Sequence, residues 1–149
     1  MGYKLTIGEL KTSINEDGLY SSIYNYAEDM KLDNAPAFNE PTDYTNSRLP
    51  SYTSWSNFCE FTELYDLFYN SHYGILRDHS GCVPLTKEHK KIIDKAYENF
   101  YKKCIPGFSK DDCDTNWPPE REHAARLEWL KFWVDWALEN CKQPVFYNS

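Results

Sequence analysis

EREHAARLEWLKFWVDWALENC, residues 120–141, decides the reading of the fold. Pro118 and Pro119 stand just ahead of it, and proline suits a helix's first turn. Glu120 and Glu122 suit the positive end of the helix dipole. On a helical wheel Leu127, Leu130, Val134, Leu138 and Cys141 share one face. Trp129, Trp133 and Trp136 form a second apolar face beside it, leaving Glu128, Lys131, Asp135, Glu139 and Lys142 as the one polar stripe. A helix apolar on two sides is packed from two sides, so this segment reads as the central helix of the domain.

Working back from it, Thr86 caps a helix of about 18 residues whose inner stripe is His89, Ile92, Ile93, Ala96, Tyr97, Phe100 and Cys104. Pro106-Gly107 ends that helix. Ser54 caps another, running to about Tyr73 with Gly74 as the residue beyond its end. Leu19, Ile23, Tyr26 and Met30, at spacings of four, three and four, predict a further helix. Residues 3–16 read as a short strand or helix, with Thr6-x-x-Glu9 fitting a capping box weakened by Gly8. Residues 33–53 carry three prolines and many turn formers, so a long irregular segment is expected there. No strand alternation of useful length stands out. The expected fold is mainly α: residues 1–149 as one domain of about four to five helices around the Trp-rich C-terminal helix.

The totals suit that picture. A chain of 149 residues buries enough surface for a core without staples. Its 12 Tyr, 8 Phe and 5 Trp supply either a core built from rings or a surface of rigid aromatic contacts. The net charge of −7 leaves no basic face for duplex DNA, and no run of like charge suggests an electrostatic tail. Five widely spaced cysteines fit reduced thiols, and the opening residues lack a signal peptide, so a cytoplasmic protein is expected, in a host cytoplasm if the chain is viral. No apolar run is long enough to span a membrane.

Several residues carry candidate chemistry. His123 falls on the Leu127 face and Arg126 between the two apolar faces, near a helix start. They serve either in an internal ion pair or at an anion site, because helix N-termini collect phosphates and a guanidinium adds bidentate recognition. The loop Arg77-Asp78-His79-Ser80-Gly81-Cys82 joins two helices; it is either a connection or a second anion contact through Arg77 and His79. Trp129 and Trp133 read as core rings, or else as stacking surfaces for a base. Arg48 and Tyr52, from the irregular segment, would close over the same ligand. Cys82 lacks a clear catalytic base, and the His/Cys spacing lacks a zinc pattern. Phosphate loops and the common hydrolase motifs are absent.

Three functions compete. The first is a non-catalytic protein that sequesters a small anionic, nucleotide-like ligand through Arg77, His79, His123, Arg126, Trp129, Trp133, Arg48 and Tyr52, with no cofactor and no metal. In style the chain (small, acidic, aromatic-rich) resembles phage-encoded proteins, and a sponge for a host defence signal fits that style. The second is an interaction protein that blocks or adapts another protein through an acidic, Tyr-rich surface. The third is a small hydrolase using the His/Cys set or a metal.

Overall fold

The structure, a computed structural model, describes residues 4–17, 20–37, 43–77, 81–104 and 120–149. Helix α4 spans Glu120–Asn140, as its two apolar faces require. Leu127, Leu130, Val134 and Ala137 are buried, and so are Trp129 and Trp133 from the second face. Helix α3, Lys87–Cys104, packs along it. Its start is fixed at Thr86, where the ring Nδ1 of His89 accepts the Thr86 backbone N–H at 2.9 Å. Ile93, Ala96 and Phe100 of α3 face inward, whereas Ile92 of the expected stripe is exposed.

The mainly α expectation is overturned. The chain is mixed α/β, 45% helical and 25% strand, with four helices and two antiparallel sheets of four and two strands among the described residues. Strands β1 (Leu5–Glu9), β4 (Ser47–Arg48), β5 (Gly81–Pro84) and β6 (Pro144–Asn148) form the larger sheet in the order β4-β1-β6-β5. Ile7 lies opposite Phe146, and Val83 opposite Phe146 on the far side. These strands escaped notice because β1 is short and buried on both faces, so Leu5 and Ile7 alternate with Thr6 and Gly8 without any exposed polar side to mark a strand. The other strands of the sheet are two to five residues long, too short to display a period.

Leu5 and Ile7 join the core with Phe146 and the rings of α1 and α4. Thr6 and Gly8 point the other way, under residues 27–31 and Asn46. The Thr6 and Ser47 hydroxyls bond at 2.9 Å, and Ser47 donates to Asp29 at 2.6 Å. Thr6 is therefore a buried strand residue and not a helix cap. Gly8 is needed for close approach: a Cβ there would stand 3.3 Å from Asn46 Nδ2.

Asn46 buckles this layer to the sheet. Its Oδ1 accepts from the Met30 N–H at 2.7 Å, and its Nδ2 donates to the Ile7 and Glu28 carbonyls at 2.8 and 2.9 Å. The expected irregular segment 33–53 is irregular only in part: its described residues include strand β4 and the first turn of the helix that begins at Tyr52, and Tyr44 is bonded into the fold through Leu32 N–H to Tyr44 O.

Helix α1 spans Tyr52–Thr62, capped by Ser51 and not Ser54. It stops early because Glu63 turns left-handed at φ 63° and its N–H closes the helix end. A short helix α2, Tyr65–Tyr69, follows. Gly74 then crosses close to the chain: a Cβ there would meet the Asn70 carbonyl at 2.5 Å. The aromatic residues mostly build the core, with Trp55 packed between Phe58 and Phe68 at 4.8 and 5.3 Å.

The helix expected over Leu19 to Met30 does not form. Strands β2 (Lys11–Asp17) and β3 (Tyr20–Tyr26) make a separate two-stranded hairpin.

Candidate interaction surface

The hairpin is held by directly opposed residues. Ile14 lies across from Ile23, Ser13 from Tyr24, and Lys11 from Tyr26. Thr12 donates to the Asn25 side-chain carbonyl at 3.0 Å. β3 runs near β5 of the larger sheet, whereas β2 pairs with β3 and, among the described residues, with no other strand.

Ile14 is 61% exposed and Ile23 72%, on one face of the hairpin, and Tyr24 is 49% exposed on the other. Single exposed apolar residues need no explanation. Here two isoleucines sit opposite each other, where cross-strand pairs gain most from being covered. A two-stranded hairpin is marginal in water, and its open edge presents unpaired N–H and C=O groups to another strand.

The residues named for an anion site fall in three places. His123 and Arg126, near the start of α4, both face α1: His123 stacks on Phe61 at 4.7 Å and lies 6.1 Å from Phe58. Arg126 is 12% exposed and reaches the exposed Glu122 carboxylate at 3.7 Å. Its charge also acts on Cys59 of α1, whose thiol is pushed far up by burial and pulled back only in part by the guanidinium.

Trp129 and Trp133 lie in the core. Trp129 Nε1 donates to the Thr45 carbonyl at 2.9 Å, so this ring pins the strand that carries Arg48. Arg48 itself is buried opposite Leu5. Arg77 is exposed, in the turn after α2, with its N–H bonded to Gly74 O. His79 and the side chain of Tyr52 lie outside the described residues.

A groove of about 440 Å³ runs between α3 and α4, lined by Lys90, Asp94, Asp135, Leu138 and Glu139 among others. Several charges around it satisfy one another. Lys90 reaches Asp94 at 2.8 Å and Asp135 at 2.7 Å, and Lys131 reaches the same two at 3.0 and 3.2 Å. Burial pushes the Asp94 carboxyl up, but hydrogen bonds from Lys90 and Lys131 outweigh it and hold the carboxyl below its usual range. Hydrogen bonds donated to Asp135 and then Asp94 raise Lys90. Lys90, Lys131, Asp94 and Asp135 form a four-charge clamp between two helices, while Lys87 and Lys91 also line the groove, Lys91 reaching the exposed Glu88 at 3.3 Å.

The chemistry expected of a catalytic thiol is not favoured at the described cysteines. Burial raises Cys82, and burial followed by the Glu9 charge raises Cys141 to about 11. Among the described residues no three His, Cys, Asp or Glu side chains come together to hold a metal. Nor is any described helix long and apolar enough to cross a membrane.

Sequence reasoning missed the hairpin as a surface. The signal that could have found it is the Asp17-Gly18 dipeptide lying between two β-prone runs in the sequence, which marks a hairpin as readily as a helix start. Comparison of the chain with protein families, with curated proteins and with solved structures found no match in any of the three.

Proposed function

We propose that the chain is a non-catalytic interaction protein that docks through the β2–β3 hairpin. The observation that carries this is the Ile14–Ile23 pair, opposed in register and mostly open to water on an element whose outer strand pairs with no further strand among the described residues. Covering both side chains would remove apolar surface worth about 25 cal/mol per Å² before the entropic cost of association. Strand addition at the edge would supply main-chain hydrogen bonds, with the isoleucines giving specificity. The test is a photo-cross-linking residue placed at position 14 or 23, with position 92, an exposed isoleucine on α3, as control. Cross-links to one identified protein from 14 and 23 but not from 92 support the reading. Equal yields at all three sites, or none, overturn it.

A second reading rests on Arg126. A guanidinium 12% exposed with a 3.7 Å contact to an exposed carboxylate retains donors for a small anion, with His123 beside it on the same turn of helix. The protein would then sequester a nucleotide-like ligand. A thermal-shift screen against nucleotides and cyclic oligonucleotides tests this. A ligand at 100 times its Kd adds about 2.7 kcal/mol, roughly 5–10 °C for a domain of this size. A shift of that order that disappears in Arg126→Ala supports the site, and a flat panel removes it.

A further inference from the structure

We infer that the occupant of the hairpin is a second copy of the same chain, added edge to edge and antiparallel along β2, with the two-fold axis at Ile14. This rests on the hairpin being the docking element and names its partner.

Strand β2 spans Lys11–Asp17, and Ile14 is its middle residue. A two-fold through Ile14 therefore pairs the whole strand with its copy. Lys11 falls opposite Asp17, Thr12 opposite Glu16, Ser13 opposite Asn15, and Ile14 opposite Ile14. Both ends then match a basic position with an acidic one, which is the charge complementarity an antiparallel pair wants. Shifting the register by one residue shortens the ladder and sets Ile14 against Asn15 or Ser13; shifting by two sets it against Thr12 or Glu16. Only the Ile14-centred register keeps the charge match and the apolar contact together.

The same register solves the exposure of both isoleucines. Ile23 lies across β2 from Ile14. The joined sheet, β3-β2-β2-β3, carries the row Ile23, Ile14, Ile14, Ile23 across one face. Two marginal hairpins become one four-stranded sheet, the size at which sheets hold themselves. The free edge that invites uncontrolled pairing is consumed, and the symmetric contact closes at two copies. Lys11 also touches Glu28, at 3.8 Å with both side chains well exposed, a contact too weak to hold it back.

The experiment is sedimentation equilibrium on the full chain between about 1 µM and 1 mM. About 0.15 M salt screens the net charge of −7 over a Debye length of about 8 Å. The wild type is expected to pass from the 17.6 kDa chain mass to twice that value. Ile14→Lys should remain monomeric. Lys11→Asp and Asp17→Lys each place like charges at both ends of the ladder, and each should dimerise about tenfold or more weakly.

Mixing the two single variants restores opposite charges at both ends, so the mixture should dimerise like the wild type, as should the double variant. Thermal melts of each variant confirm folding independently of mass. A wild type that stays monomeric throughout overturns the inference. So does a mixture of folded single variants that fails to recover. Cross-links from position 14 to a different protein, in a chain that stays monomeric, overturn the second copy while leaving the docking element standing. Absence of any cross-link overturns both.

Discussion

Replacing Asn46 by Ala should destabilise the fold by about 3 kcal/mol. Asn46 is fully buried, and its side chain makes three hydrogen bonds to main chain from three separate stretches: Met30, Ile7 and Glu28. Each such bond contributes about 1 kcal/mol net, and a buried group left unsatisfied costs about 1–3 kcal/mol. Two of the three bonds are only partly buried, so water can satisfy some of what is stranded. The Ile7 carbonyl is buried and has no such recourse from that side. The sum stays near 3 kcal/mol, a large share of the roughly 5–15 kcal/mol that holds a domain folded.

Urea unfolding followed by tryptophan fluorescence reads this directly, and the melting temperature should fall by about 10 °C. Asn46→Asp separates hydrogen bonding from packing, since it keeps the shape and the acceptor for Met30. It places a carboxylate oxygen against two carbonyls in place of the donating amide, so it should be at least as damaging as the alanine. A loss below about 1 kcal/mol in Asn46→Ala, or a benign Asn46→Asp, would refute the view that this side chain ties the 27–31 segment to the sheet.

Other consequences are as specific. Trp129 and Trp133 are both core rings, but Trp129 donates to Thr45 O whereas Trp133 Nε1 is buried with no hydrogen-bond partner among the described residues. Trp129→Phe should therefore cost about 1 kcal/mol more than Trp133→Phe in chemical denaturation, and equal losses would contradict the assignment. Cys59 is buried with its thiol pushed far up by desolvation, so iodoacetamide at pH 8 should leave it unlabelled in the folded protein and label it on unfolding, as read by peptide mass mapping.

The α3–α4 clamp gives a pH dependence. Asp94 is held below its unfolded value, so its contribution is present above that value and lost as pH falls through the folded one. Lys90 and Lys131 are raised, so theirs is present below their unfolded value and lost as pH rises through the folded one. The stability gap between wild type and Asp94→Asn should thus hold from about pH 5 to pH 10 and shrink at about pH 3. An undiminished gap at pH 3 would sink that account.

How far the residues announced all this depended on how each element is buried. α3 and α4 were legible because a helix with a polar stripe and an apolar one shows its period in any window of a dozen residues. Thr86 was legible as a cap for the same local reason. The larger sheet was not, since β1 is covered on both faces: Leu5 and Ile7 by the helices, Thr6 and Gly8 by the Asn46 layer. Its alternation is between two kinds of burial, which composition cannot separate. The α1 break at Glu63 was also hidden, because a left-handed non-glycine residue leaves no mark in the sequence. Of the candidate anion residues, His123 and Arg126 both lie near α1.

The hairpin failed to show itself for the opposite reason to β1. Lys11, Thr12 and Ile14 are all exposed, and so are Ser22, Ile23, Tyr24 and Asn25, so neither face is sorted into apolar and polar. With no alternation to read, the chance spacing of Leu19, Ile23, Tyr26 and Met30 imitated a helix. A strand acquires its alternation by having one face to bury within its own fold. A β-prone run that lacks it, yet carries two isoleucines that come to lie opposite each other, fits the proposal that its burying surface lies on a partner. The property that made these residues unreadable as part of a self-contained core is therefore the same one on which the proposed interface rests, and in the proposed Ile14-centred pairing the other half would already be encoded in the chain.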